Sequence, residues 1–119
     1  MNKEVIVVTA ICGPHCVGPD DGMALFEKML SILKSGNSVC LDFSSVETLT
    51  TSFLNASVGK IFGKFDYADL EARLQLINLD TVDQQSVSLV IKNAKEHFAK
   101  NQEIRQSEND IVRKAHEED

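Results

Sequence analysis

Positive charge is scarce in this chain: twelve Lys and Arg stand against eighteen Asp and Glu, for a net charge of −6. Such a surface repels phosphates before any contact forms, which argues against DNA, RNA and anionic membrane as partners. Long apolar runs are missing as well. Val5-Ile6-Val7-Val8 and Phe53-Leu54 fall far short of the ~20 residues that cross a bilayer. Met1-Asn2-Lys3-Glu4 sets one basic residue beside an acidic one, and the apolar stretch behind it ends at Thr9. No secretory signal is expected from that pattern, and the compartment reads as cytoplasmic. Cysteine is sparse and odd in number, three in all, with Cys40 inside an apolar segment where a thiol behaves as a small hydrophobe. A disulfide framework is not required. Internal repeats and low-complexity segments are absent. With 119 residues, two separately cored domains would each fall near the limit of roughly 50 residues for independent folding, so one domain is expected.

What is present alternates. Glu4 to Ile11 is a nearly continuous β-branched run and reads as a buried strand. Cys12 to Gly22 then gathers three glycines and both prolines of the chain, which reads as a long loop. Asp20 and Asp21 lie just ahead of the helical stripe Met23, Phe26, Leu30 and Leu33, where carboxylates serve a helix N-terminus, and Gly36 supplies the stop. Ser38 to Phe43 reads as a second strand with Asp42 near its end. After a short connection, Ser44 to Leu49, the hydroxyls of Thr50, Thr51 and Ser52 can cap a helix carrying Leu54, Val58, Ile61 and Phe65. Leu74, Leu76, Ile77 and Leu79 mark a third strand, and Val87, Val90, Ile91, Ala94 and Phe98 a third long helix.

Strand and helix in alternation point to βαβ crossovers, hence an α/β fold with a small, largely parallel central sheet packed by helices. The domain is expected to span residues 1–99. Residues 100–119 carry four basic and six acidic groups and read as a charged extension of the last helix that frays into a mobile tail. Ile104, Ile111, Val112 and Ala115 leave a weak stripe there on which a second chain, in a homodimer for instance, could dock.

Two segments carry candidate chemistry. The first runs from Val39 to Ala56 and places an acid at a strand end and a hydroxyl cluster at a helix start. Loops converge at that edge of an open α/β sheet, and helix N-termini there tolerate negative charge. The series Leu41-Asp42-Phe43, then Val46, then Thr50-Thr51-Ser52-Phe53-Leu54 resembles the STAS-like family of small bacterial regulatory domains, relatives of the anti-sigma factor antagonists, over most of residues 4–98. The resemblance implies a non-catalytic interaction module without a cofactor, docking on a partner ATPase of histidine-kinase-like fold. It makes Ser52 the candidate phosphoacceptor, with Thr50, Thr51, Phe53 and Asn55 beside it as partner-binding candidates. This chain departs from the antagonist motif in having Thr50 where an Asp precedes the hydroxyl pair and Phe53 where a Gly follows the serine. The plainer reading of Thr50, Thr51 and Ser52 is helix capping alone.

The second segment is Cys12-Gly13-Pro14-His15-Cys16. Two thiols around a Gly-Pro turn suggest thiol redox chemistry, as in thioredoxin-type sites, yet three residues rather than two separate the cysteines, and no helix opens directly behind them. Cys12, His15 and Cys16 also form an incomplete metal set, with Asp20, Asp21 or His97 as distant fourth ligands. His97 and His116 otherwise read as surface residues. Asp42 reads as the cap of its following turn through Ser44 and Ser45. Gly18 and Gly22 lack the Lys and Thr of a phosphate-cradling loop.

Overall fold

The computed structural model describes residues 2–117, and the side chains of residues 2–99. The chain runs β1 (Lys3–Val7), α1 (Val8–Cys12), β2 (His15–Cys16), α2 (Pro19–Lys34), β3 (Ser38–Asp42), β4 (Thr48–Leu49), α3 (Thr51–Leu54), α4 (Tyr67–Arg73), β5 (Leu74–Ile77) and α5 (Thr81–Glu117). Between α3 and α4 the helix continues as a π-helical turn, Asn55–Gly59. The Ile104, Ile111, Val112 and Ala115 stripe and His116 lie outside the described side chains.

β1, β3 and β5 form a parallel sheet in that order, so each crossover returns the chain to the neighbouring position. Its register sets Ile6, Leu41 and Leu76 in one row, and Val7, Asp42 and Ile77 in the next. The first of these rows belongs to the core face. Ile6, Val39 and Leu41 are buried there in one cluster with Leu25, Met29 and Leu33 of α2. α2 also packs on α3 and its π-helical turn, and α5 closes the far side of that helix with Val87, Val90 and Ala94. The result is a mixed α/β fold with a small parallel sheet packed by helices, as the alternation of periods predicts. Among the described residues no helix is long and apolar enough to cross a membrane.

Several short elements differ from the sequence reading. The first strand stops at Val7, and Val8–Cys12 closes into one helical turn that ends where Gly13, at φ 72°, sends its N–H to the Thr9 carbonyl. Strand propensity there yields to tertiary context. The long loop is also more ordered than its glycines and prolines suggest. Pro19 opens α2 at a position that needs no N–H, so Asp20 and Asp21 lie inside its first turn rather than ahead of it. His15–Cys16 pairs in parallel with Thr48–Leu49 as a separate two-stranded sheet. α4 has no counterpart in the sequence reading. Asn78, at φ 62°, ends β5 before Leu79.

Gly22 is the point where α2 meets α3. A Cβ there would stand 2.6 Å from the Phe53 carbonyl oxygen and 2.8 Å from the Ala56 Cβ. Only glycine lets the two backbones approach this closely, and the approach fixes the helix that presents Ser52.

Candidate functional site

The two candidate segments turn out to be one structure. Pro14 offers its carbonyl to the N–H groups of Glu47 (2.8 Å) and Thr48 (3.2 Å), and the Cys16 carbonyl accepts from the Thr50 N–H at 3.1 Å. Thr50 then does double duty. Its hydroxyl donates to the Val17 carbonyl at 2.7 Å and accepts from the Phe53 N–H at 3.2 Å. It is therefore the cap of α3 and the pin that ties this helix to the loop after β2. The capping reading of the hydroxyl cluster is met by Thr50 alone.

Capping by Thr50 leaves Thr51 and Ser52 free of structural duty. Both are exposed, as is Asn55 one turn further on, and among the described residues the Ser52 hydroxyl has no hydrogen-bond partner. Phe53 requires a correction. It is 0% exposed, one of the largest fully buried side chains, and lies in the core with Leu54 and Val58. Its ring cannot touch a partner; the large side chain that replaces glycine in the motif points inward and anchors the helix. Ser57, the buried polar residue of this helix, donates its hydroxyl to the Phe53 carbonyl at 2.9 Å.

The thiols behave in the opposite way. Cys16 is fully buried with its Sγ 3.6 Å from the Gly13 carbonyl, and Cys12 Sγ lies 3.5 Å from the Asp21 carbonyl. The two thiols are close enough to hydrogen-bond each other, and both are free. Burial first, then the neighbouring Cys16 and Asp21, push the Cys12 thiol up to about 12. Burial likewise raises that of Cys16, with Asp21 adding to it. Reactive thiols show the reverse shift, because the thiolate is both nucleophile and metal ligand. Among the described residues no group of three or more His, Cys, Asp or Glu could hold a metal ion. His15 turns away from the thiols. Its Nδ1 lies 3.0 Å from the Thr48 hydroxyl and its Nε2 3.6 Å from a Glu47 carboxylate oxygen. His97 stands exposed on α5 with its ring edge-on to Phe98 at 4.9 Å, so it is not brought to this loop.

The His15, Glu47 and Thr48 contact is absent from the sequence reading, because two-residue strands carry no periodicity that could reveal it. Asp42 caps its turn as expected, but with a different partner set. Its Oδ1 accepts from the Ser44 N–H (2.9 Å), the Ser44 hydroxyl (2.6 Å) and the Asn78 amide (2.9 Å). Ser45 instead adopts φ 65° to complete the turn. Asn78 first, then Ser44, hold the Asp42 carboxyl below the usual carboxylate range.

Residues 21–84 match a family described as a STAS-like domain of unknown function, a span that holds Thr50 to Asn55 but not Cys12 to Cys16. No curated protein and no solved structure matches the chain. With more than half of its length covered by that match, the chain belongs to the STAS-like family.

Proposed function

We propose that this protein is a non-catalytic regulatory module that docks on a protein partner through the exposed start of α3, with Ser52 as a phosphoacceptor for a histidine-kinase-like ATPase. The observation that carries this reading is the division of labour at residues 50–53: Thr50 caps, Phe53 anchors, and Ser52 keeps an exposed hydroxyl that the fold does not use. Thr51 and Asn55 complete the exposed patch, while the overall negative charge disfavours a nucleic-acid partner.

A phosphate on Ser52 would add about −1.5 to −2 charges at pH 7 to the centre of that patch. A partner surface complementary to the neutral hydroxyl then meets a desolvation and repulsion cost, so binding is switched off without any refolding. The competing reading, thiol or metal chemistry at Cys12, His15 and Cys16, is weakened by burial that keeps both thiols protonated.

The test is incubation of the full chain with ATP and a histidine-kinase-like ATPase encoded beside it, followed by mapping of phosphate by mass spectrometry. Phosphate on Ser52, together with partner binding weakened by about tenfold or more in Ser52→Asp, is the expected result. No phosphate on any residue, with Ser52→Asp binding as the parent does, removes the switch.

A further inference from the structure

The helix that begins at Thr51 buries its side chains in doublets, Phe53-Leu54, Ser57-Val58 and Ile61-Phe62, which recur every four residues. A 3.6-residue turn would carry each doublet about 40° round the axis from the last. The π-helical turn at Asn55–Gly59, whose bonds span one residue more, takes that drift back. The residues between the doublets therefore stay in line as well, and one line, Asn55, Gly59 and Gly63, faces α5. A Cβ on Gly59 would stand 3.3 Å from Val90 Cγ1, and one on Gly63 would stand 2.6 Å from the Phe98 ring. Asn55 leans over the same gap, its Oδ1 3.6 Å from where that Gly59 Cβ would lie.

Between the π-helical turn and α5 lies a cavity of about 290 Å³. Gly59, Ala94 and Phe98 supply its apolar lining, and Asn55, Lys60, Asn93 and His97 its polar one. Among the described residues the side chains of Asn55, Asn93 and His97 have no hydrogen-bond partner. Lys60 rests its ammonium 4.7 Å from the centre of the Phe26 ring and 3.5 Å from Met23 Sδ, and among the described residues no carboxylate pairs with it. None of these lining residues is acidic, and the chain carries no acid between Glu47 and Asp66. In a protein of net charge −6, this is a hollow rich in donors beside an unpaired cation.

We infer that the cavity takes a carboxylate side chain of the protein that docks at Ser52, so that the contact surface runs from the start of α3 through Asn55 to His97 on α5. The inference rests on the docking reading, and Asn55 ties the two together because it belongs to both the Ser52 patch and the cavity. Chemistry selects the occupant. Two carboxamides and an imidazole offer N–H groups from which a carboxylate accepts, and Lys60 adds attraction for its charge. Phe98 and Ala94 suit the methylene stem of such a side chain. The volume falls at the small end of the range for ligand pockets, about 300–1,000 Å³, which fits a side chain and not a whole helix. Glu96 lines the adjoining cavity beyond Asn93 and His97, so the carboxylate is directed to the Asn55 end.

Two measurements test the inference. In nuclear magnetic resonance titrations of the full chain, N-acetylglutamate amide at tens of millimolar should shift the carboxamide signals of Asn55 and Asn93, and its neutral glutamine counterpart should not. Equal responses to both probes, or none, overturn the inference whatever becomes of the docking reading. Titration calorimetry with the histidine-kinase-like ATPase encoded beside the protein supplies the second. Asn93→Asp with His97→Glu should weaken binding by about tenfold or more, whereas Lys28→Glu, on the exposed side of α2, makes the same change in net charge and should stay within about twofold of the parent. Circular dichroism checks that each variant keeps the parent fold. Binding weakened by Ser52→Asp but indifferent to the cavity variant overturns the inference and leaves the docking reading standing. An equal loss in Lys28→Glu overturns it too, and a parent chain that does not bind the ATPase removes both.

Discussion

The loop at Cys12–Cys16 and the helix start at Thr50–Asn55 touch each other, share hydrogen bonds, and dispose of their reactive atoms in opposite directions. In the loop the sulfurs turn inward, where burial keeps their protons on. At the helix start the ring of Phe53 turns inward and the oxygen of Ser52 turns outward. By residue type alone the loop is the more chemical of the two, with two thiols and an imidazole. Accessibility reverses the ranking: thiols that the fold keeps neutral and buries, wholly at Cys16 and in part at Cys12, are packing groups, while a modest hydroxyl with no partner among the described residues is available to another molecule.

The strongest way to break this comparison is at its inward side. Phe53→Ala should destabilise the fold by about 3–5 kcal/mol, the range for a buried aromatic truncated to leave a cavity. Urea titration measures it, and a loss below 1 kcal/mol would mean that the ring is not the anchor described. The thiols offer the next effect in size. With Cys12 held up to about 12 against an ordinary 9.0, its thiolate fraction at neutral pH is lower by about a thousandfold. Alkylation by iodoacetamide should be correspondingly slow and should keep accelerating as pH rises towards 12. Between those two values the unfolded chain releases the proton and the native chain retains it. Stability should therefore decline with rising pH over that window, and decline less in Cys12→Ser. A rate that levels off near the ordinary value would return the loop to the list of reactive sites.

How much of this is written in the sequence depends on how many inward-facing apolar positions each element holds. β3, β5, α2, α5 and α3 with its π-helical continuation announce themselves because several apolar residues repeat with a helical or strand period. α1, β2, β4 and α4 do not, because each buries at most one residue and so has no repeated position to set a period. α4 buries Leu70 alone. The pairing of His15–Cys16 with Thr48–Leu49 depends on carbonyls contributed by Pro14 and Cys16, a tertiary arrangement that no local pattern encodes. The same limit applies at the site. The hydroxyl cluster is visible in the sequence, but its division into cap, exposed oxygen and buried ring is not, since Thr50 acts through a bond to Val17, 33 positions away. Asn78 joins Asp42 across 36 positions, for which Ser45, the nearer neighbour, is the natural but mistaken choice.

Two hydroxyls two positions apart provide the finest contrast. Thr50→Ala removes a bond to the Val17 carbonyl and the bond that caps the Phe53 N–H. A loss of about 1 kcal/mol is expected, within the range of roughly 0.5–2 for N-cap truncation. Ser52→Ala removes an exposed oxygen with no partner among the described residues, and its effect on stability should stay within about 0.5 kcal/mol of zero. Thermal unfolding of the two variants side by side measures the difference. If Ser52→Ala costs as much as Thr50→Ala, its hydroxyl is structural and the case for a spare, reactive group at the start of α3 is lost. If it costs nothing while partner binding or phosphate uptake changes, the hydroxyl serves interaction rather than folding, which is the distinction on which a serine switch depends.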